Sequence, residues 1–355
     1  MRGGGGGKYG DYLIFRDSFY HLIEHKNLYA LYTDWGGYFL YTPTFALSFG
    51  VFSSLPDYLG LTAWNLLNAV SFLLAIYYLP HFTRLQKGVI ILIAGQALMT
   101  AVQNNQSNAL TAALLIFGYG CLEKNKPSAA ALSIAAAAYI KLFGVVGFAL
   151  FLLYPRFWRN CGYAAGWLVA FFLAPLLVID WAHYQFLGRS YVQILLTEHG
   201  ANYGISAMGW LHTWFGWEGD KKLFVLAGAA VFMSPFLKTG SYAAADFRRL
   251  LFAALLIWVV IFNHKGQSSM FIMPMTGVAL WFMTVPKNWL NIAFLAAALL
   301  FSSWSSTDLF PRWFRREYLT KYAVKAVPVT LIWLKITVDL WRHKIGGKPP
   351  DRPTD

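Results

Sequence analysis

The chain has 355 residues, of which 57% are hydrophobic, 18% aromatic and only 13% charged. Soluble globular domains carry about 25% charged residues, so this composition excludes an ordinary soluble domain and predicts an all-α polytopic membrane protein. The net charge of +13 does not indicate nucleic acid as a partner, because the basic residues lie in short loops between apolar segments. The sequence contains no metal-binding or nucleotide-binding motif, so no cofactor and no metal are expected.

The first element is the charged, aromatic segment KYGDYLIFRDSFYHLIEHKNLY near the start of the chain. Its spacing predicts a helix over residues 12–25, and Asp11 stands just ahead of it, where Asp is a favoured helix cap. The apolar segment 43–55, between two prolines, is too short to cross a membrane comfortably. We predict an interfacial or re-entrant helix there, and residues 1–56 form an N-terminal segment on the outer face.

Apolar segments with few charges then recur along the chain. They predict about eleven transmembrane helices, at residues 57–80, 88–102, 106–121, 127–140, 142–154, 162–180, 222–237, 248–263, 269–285, 289–305 and 320–341. Together they form a bundle over residues 57–341, followed by a tail at 342–355. The whole chain is predicted to be one domain that contacts membrane lipids.

The pair of apolar segments within 127–154 is interrupted at Lys141-Leu-Phe-Gly144, and both halves are short. At membrane depth, short and interrupted helices are tolerated only where protein or a water-filled cavity satisfies their backbone. This break therefore points to a functional site.

Loops rich in Lys and Arg alternate along the chain with loops that carry carboxamides and His. Because positive charge collects on the cytoplasmic side, the first set and the tail are predicted to be cytoplasmic. The second set lies outside, with the N-terminal segment. The outer set combines amides, aromatic rings, a carboxylate and isolated cations. Amides bind sugar hydroxyls, and Lys or His neutralises phosphate oxygens, so this face suits a sugar and a phosphate.

Five segments carry a family resemblance: GDYLIFRDSFYHLIEHKNLY (10–29), YTPTFAL (41–47), QNNQSNAL (103–110), AAAAYIKLFG (135–144) and NHKGQSSMFI (263–272). In order and spacing they resemble the polyprenol-phosphate-sugar-dependent glycosyltransferases of family 87. Two positions depart from the family's elements: Asn105 stands where its Gly-Gln-x-Asn element has Gly, and Thr44 where its Tyr-Pro-Pro form has the second Pro.

The resemblance implies a GT-C-type bundle, with outer-face loops and short interfacial helices, that acts as a hexosyltransferase. Mannosyltransferases typify the family. Such an enzyme takes a sugar from a polyprenyl-phosphate sugar donor and passes it to a lipid or glycan acceptor. The transfer is inverting and metal-independent, at the outer face of the bacterial inner membrane. The resemblance also implies a membrane helix ahead of Asp11, and residues 1–10 contain no apolar segment that would form one.

The resemblance also implies roles for individual residues. Asp11 is the catalytic base. The donor's phosphate is bound by three cationic residues, Lys141, His264 and Lys265, and the substrates by four further residues, Tyr41, Asn105, Gln106 and Asn108. Asp34 is a second-choice acid. Among other outer-face polar residues, His199, Asn202, Tyr203 and His212 belong to a long loop that could cover the acceptor.

Simpler interpretations stay open for each of these residues. Asp11 could merely cap its helix, Lys141 could extend its side chain to the membrane interface, and the carboxamides of residues 103–108 could form only a turn. At the level of function, a transporter or flippase for a lipid-linked sugar would also use broken helices. An inactive homologue that serves as an assembly partner is the third possibility.

Overall fold

The computed structural model describes residues 9–32, 37–197 and 203–343, and every regular element in these ranges is helical. The all-α prediction is therefore confirmed for this part of the chain. Several residues named above lie outside the described ranges, namely Asp34, His199, Asn202 and nearly all of the predicted tail at 342–355.

Residue contacts group the chain into two compact units. Unit 1 comprises the described parts of Met1–Arg84, Ala97–Phe148 and Trp158–Asn202, and unit 2 those of Leu85–Gln96, Ala149–Phe157 and Tyr203–Asp355. The single domain expected from the sequence stays a prediction.

The first nine α-helices lie between residues 10 and 197 and belong almost wholly to unit 1, except α5, most of which falls in Leu85–Gln96 of unit 2. They are α1 (Gly10–Ile23), α2 (Pro43–Ser48), α3 (Gly50–Ser53), α4 (Asp57–Tyr78), α5 (Arg84–Gln103), α6 (Asn108–Glu123), α7 (Pro127–Ile140), α8 (Phe157–Leu173) and α9 (Trp181–Thr197). Two 3₁₀ helices interrupt this series, at Leu142–Leu153 and Ala174–Leu177.

The remaining α-helices belong to unit 2. They are α10 (Ala207–Phe215), α11 (Lys221–Met233), α12 (Ala245–Ile261), α13 (Ile272–Thr284), α14 (Trp289–Ala297), α15 (Arg312–Phe314) and α16 (Ala326–Arg342). Short 3₁₀ turns and two π-helical segments, Ala298–Ser303 and Arg315–Thr320, lie between them.

Helix α1 explains why a membrane protein carries a charged segment near its start. Tyr12, Phe15 and Leu22 lie on one face of the helix and are buried, as the helical period of the apolar residues requires. On another face, Arg16 donates two hydrogen bonds to the carboxylate of Asp57, at 2.8 and 2.7 Å, where α4 begins. The apolar face thus anchors α1 in the unit, and its charges form local ion pairs.

The core of unit 1 around α1 is aromatic. Rings from α1, α2, α4 and the segment before α2 pack together, with Phe15 4.8 Å from Tyr41 and 6.0 Å from Trp64 between ring centroids. Each such pair adds about 0.5–1.5 kcal/mol beyond the burial of its surface. Leu187 and Ile194 of α9 belong to the same buried cluster. Aromatic packing therefore holds α1, α2 and α4 together.

The segment between the two prolines is helical, as predicted, but it forms two short helices, α2 and α3. Thr42 caps α2 by accepting a hydrogen bond from Phe45 N, and Pro43 occupies the first helical position, where a missing N–H costs nothing.

Four helical stretches in the described residues are long and apolar enough to cross a membrane, namely Asp57–Tyr78, Arg84–Gln103, Phe157–Leu177 and Trp289–Ser306. The membrane assignment is thus supported, but the count of about eleven crossings is not confirmed. Each predicted segment coincides with helix. Most of the helices that coincide with the predicted segments are shorter than 18 residues.

The predicted break at Lys141 is confirmed. Helix α7 ends at Ile140, Lys141 has an extended backbone with φ −138° and ψ 122°, and the chain resumes as a 3₁₀ helix. Gly144 is required here, since a Cβ atom on it would lie 2.5 Å from the carbonyl carbon of Ala137. The absence of a side chain lets the backbone turn against the end of α7.

Candidate functional site

The carboxylate of Asp11 is held by a residue far away in the sequence. Asp11 lies in the first turn of α1, and its Oδ2 accepts a hydrogen bond from Nε2 of Gln106 at 2.6 Å. The interpretation of Asp11 as a cap for a helix at 12–25 is wrong. The helix begins at Gly10 with Tyr9 as its cap residue, and the Asp11 side chain contacts Gln106 instead.

Tyr41 extends this contact into a network. Its hydroxyl donates to Oε1 of Gln106 at 3.3 Å and accepts from Oγ of Ser107 at 3.3 Å. Its backbone carbonyl accepts from the hydroxyl of Tyr29 at 3.0 Å. Burial raises the pKa of Tyr41, so the phenol stays protonated and can donate. Because Gln106 Oε1 accepts from Tyr41, its amide nitrogen is directed to Asp11.

Lys141 belongs to the same group of side chains. Its Nζ lies 5.4 Å from the centroid of the Tyr41 ring and 6.0 Å from that of Phe143, within the range of cation–π attraction. Burial lowers the pKa of Lys141 to about 8, while the carboxylate of Asp11 acts in the opposite direction. Within the described chain, no side chain accepts a hydrogen bond from this ammonium or forms an ion pair with it. An anionic ligand would supply both.

The break after α7 fixes the position of Lys141. The hydroxyl of Thr42 donates to the carbonyl of Tyr139 at 2.5 Å, which ties the last turn of α7 to the start of α2. The backbone N–H of Lys141 donates to Ala137 at 2.8 Å. The carbonyl of Lys141 accepts a hydrogen bond from Gly144 N at 2.8 Å, so backbone contacts on both sides place the lysine.

Asn105 shapes the turn before α6. Its backbone adopts φ +54°, a left-handed conformation that Gly and Asn adopt more readily than other residues, which fits a position where the family element has Gly. Its carbonyl accepts from Trp64 Nε1 at 2.9 Å, and its side-chain oxygen accepts from Asn65 Nδ2 at 3.0 Å. These bonds hold the turn before α6 against α4. Direct substrate binding by Asn105 stays a prediction.

Asn108 begins α6 and is fully buried. Its predicted contact with substrate is not tested and stays a prediction, as do the roles of the other named residues. The structure brings Asp11, Tyr41, Gln106 and Lys141 together. Asn105 and Asn108 flank Gln106 in the polar turn that leads into α6.

His264 and Lys265 lie in unit 2, in the turn between α12 and the 3₁₀ helix before α13. The side chain of Asn263 organises this turn by accepting a hydrogen bond from Lys265 N at 2.9 Å. The carbonyl of Gly266 accepts from Ile205 N at 2.8 Å. Both predicted phosphate ligands are partly buried, so the turn presents them at least in part to solvent or to a ligand.

Sequence reasoning missed the residues that orient the site, among them Ser107, Trp64 and Asn65. A signal was present, because Asn65 and Asn68 are polar residues inside a predicted membrane span, where such residues are expensive and usually functional. The side-chain oxygen of Asn68 accepts from Leu110 N at 3.0 Å. It therefore supports the first turn of α6 next to Gln106.

Comparison with known proteins identifies the family. The model of glycosyltransferase family 87 matches residues 39–286, well over half of the chain. The matched part includes Tyr41, Gln106, Lys141 and the turn with Lys265, whereas Asp11 precedes it. No curated protein matches the chain. The chain therefore belongs to glycosyltransferase family 87 and is a membrane glycosyltransferase, whose substrates are a sugar donor and an acceptor.

Proposed function

We propose that this chain transfers a hexose, in the first place mannose, from a polyprenyl-phosphate sugar to a lipid-linked or glycan acceptor. The transfer takes place at the outer face of the bacterial inner membrane. The observation that carries the proposal is the grouping of one carboxylate, Asp11, with one ammonium, Lys141, in unit 1, through Gln106 and Tyr41. A transferase of this type needs a base and a group that stabilises a leaving phosphate.

Asp11 acts as the general base. Its carboxylate removes the proton from the acceptor hydroxyl, whose oxygen attacks the anomeric carbon of the donor sugar. Gln106 occupies Oδ2 of Asp11, which leaves Oδ1 for the acceptor. The bond between the anomeric carbon and the phosphate oxygen breaks, and the lipid phosphate leaves with the electron pair. A single displacement of this kind inverts the anomeric configuration.

Lys141 stabilises the negative charge that builds up on the leaving phosphate. A charge-assisted contact contributes most where the charge develops in the transition state. Lys141 is suited to this role because no described carboxylate pairs with it. His264 and Lys265 are proposed as further ligands of the donor's phosphate. Since a phosphate ester leaves as a stable anion, the reaction does not require a metal.

Tyr41 and Gln106 are proposed to contact the substrates directly. The amide of Gln106 can bind a hydroxyl next to Asp11, and Tyr41 provides an aromatic surface beside Lys141. Asn105 and Asn108 complete the proposed substrate-binding set from the same turn, where their first role is to shape it.

The test is a transfer assay in membranes that contain the chain, with radiolabelled polyprenyl-phosphate mannose as donor. We expect label in a lipid or glycan product, and a decrease of about 10²–10⁴-fold in kcat for Asp11→Asn, the usual contribution of a general base. Glu24→Gln is the matched control, because Glu24 is the C-cap residue of α1 and pairs with Lys26 at 2.6 Å. It should stay within about twofold of wild type, as a surface ion pair contributes little.

Three results would count against the proposal. Equal transfer by wild type and Asp11→Asn would remove the assigned base. Transfer directly from a nucleotide sugar would overturn the donor class. An absence of transfer from every polyprenyl-phosphate sugar, with movement of the lipid-linked sugar across the membrane, would favour the flippase interpretation.

A further inference from the structure

Lys325 is a buried cation just before α16 in unit 2. Only 5% of the surface of Lys325 is exposed. Its Nζ donates to Oγ of Ser306 at 2.9 Å and lies 4.8 Å from the centroid of the Phe271 ring. Among the described residues, no carboxylate forms an ion pair with it. Removing an ion from water without a counter-charge costs several kcal/mol, so this position is suited to an anion.

A second lysine on α16 shows the ordinary solution. Lys335 donates to both carboxylate oxygens of Asp339, at 3.0 and 2.7 Å, one helical turn further along. This ion pair satisfies its ammonium within the helix. Lys325 and Lys335 thus differ in one respect that matters for ligand binding, namely whether the protein itself neutralises the charge.

The hydroxyls of two serines form hydrogen bonds with Lys325. Ser302 Oγ donates to the backbone carbonyl of Lys325 at 2.7 Å, so the serine-rich turn holds the lysine at both its backbone and its side chain. The hydroxyl of Ser303, in the same turn, is 1% exposed and has no hydrogen-bond partner in the described part of the chain. Unused buried donors of this kind usually have a ligand or an ordered water as partner.

A second cation reaches the same turn. Arg315 donates from one nitrogen to the carbonyl of Ser306 at 2.9 Å and from another to the carboxylate of Asp308 at 3.1 Å. The side chain of Asp308 is 95% exposed, so solvent screens its charge. Arg315 therefore adds a second positively charged donor at Ser306, besides Lys325.

The backbone around Lys325 departs from α-helical geometry in three places. π-helical segments occupy Ala298–Ser303 and Arg315–Thr320, and Ala323 has φ +47°, in the left-handed region. Isolated π turns and left-handed non-glycine residues cost energy and occur often at functional sites. In the chain, one π-helical segment precedes Ser306, and the other lies with Ala323 between Ser306 and Lys325.

We propose that Lys325, Ser306 and Arg315 bind the phosphate group of a lipid phosphate ester. Ammonium, guanidinium and hydroxyl donors match phosphate oxygens, and the positive charges of Lys325 and Arg315 disfavour a cation as ligand. Phe271, which contacts Lys325, ends the 3₁₀ helix that follows the turn with Lys265. The identification of the lipid as the carrier of the sugar donor rests on the proposed function. The assignment of a phosphate group as the ligand does not.

The experiment measures binding without sugar transfer. Purified full-length chain in detergent is titrated with undecaprenyl phosphate, and bound lipid is counted by native mass spectrometry. We expect Lys325→Met to weaken the apparent Kd at least about tenfold, the value of one charge-assisted hydrogen bond. Lys325→Arg should stay within about threefold, and Lys335→Met is the matched control on the same helix. The thermal midpoint of each variant shows whether it is folded.

Parallel titrations with phosphatidylglycerol and with inorganic phosphate identify the source of the phosphate. A loss confined to undecaprenyl phosphate assigns the site to the carrier lipid, whereas an equal loss for phosphatidylglycerol assigns it to bulk phospholipid. A folded Lys325→Met variant that binds all three probes like wild type would overturn the proposal. A chain that binds through Lys325 but transfers no sugar would sink the proposed function and leave this inference standing.

Discussion

Units 1 and 2 each contain a cation whose charge the described protein does not neutralise, but its surroundings differ. Lys141 of unit 1 lies in a network that includes the carboxylate of Asp11 and the rings around Tyr41. Lys325 of unit 2 contacts a serine hydroxyl and one ring. A base next to a cation suits bond making and bond breaking, whereas a cation among hydroxyls suits only the binding of an anion. The comparison predicts that variants in unit 1 change kcat and variants in unit 2 change affinity for the lipid.

After Asp11→Asn, the largest expected effect comes from Lys141→Met. Removing a group that stabilises developing charge should lower kcat by about 10²–10³-fold, with little change in KM. Lys141→Arg should recover part of the activity, because it restores the charge. Lys126→Met, an exposed lysine at the other end of α7, is the control and should remain within about twofold in the same transfer assay. An increase in KM with kcat unchanged would remove the distinction between the two units.

Gly144→Ala tests whether the backbone places Lys141. The new Cβ would lie within 2.5–2.7 Å of backbone atoms at the end of α7, and such overpacking costs about 1–3 kcal/mol. We expect a lower thermal midpoint in detergent and a loss of transfer activity. Gly166→Ala on α8 is the control, since nothing lies within 4 Å of its added Cβ. If both variants melted like wild type, the break would not constrain the lysine.

The pH dependence of kcat/KM should report the loss of the proton from Lys141. Because the pKa of Lys141 is lowered to about 8, the free enzyme loses this charge as the pH rises through that value. We expect kcat/KM for the donor to fall about tenfold between pH 7 and pH 9, whereas a lysine with the usual pKa of about 10.4 would stay charged. Lys141→Arg should abolish this decrease, since a guanidinium keeps its proton. A flat profile in wild type would contradict the assignment.

The smallest expected effect is that of Lys265→Met in unit 2. This side chain is partly exposed, and a contact of that kind contributes up to about 1 kcal/mol. We expect KM for the donor to rise by up to about fivefold with kcat unchanged, as measured by initial rates over a range of donor concentrations. A change in kcat of the size seen for Lys141→Met would show that unit 2 also acts on the chemical step.

Much of the local structure could be predicted from sequence. The helical period of Tyr12, Phe15 and Leu22 predicted α1, Pro43 set the start of α2, and the cation after an apolar run predicted the end of α7 at Ile140. The count of membrane crossings was less predictable. Hydropathy reports the apolar length of a segment, but not where the folded chain begins and ends each helix.

The sequence by itself determined the class of protein, its helices and, through five ordered motifs, its family, because composition and periodicity are local properties of the chain. Only the tertiary structure decided what those motifs do together. Gln106 contacts Asp11 across 95 positions, and Lys325 contacts Ser306 across 19. The contacts of Asn105 with Trp64 and Asn65 of α4, which support its turn, could not be seen in the sequence either. Such pairings depend on how the helices pack, and packing is set by long-range contacts that no local pattern records.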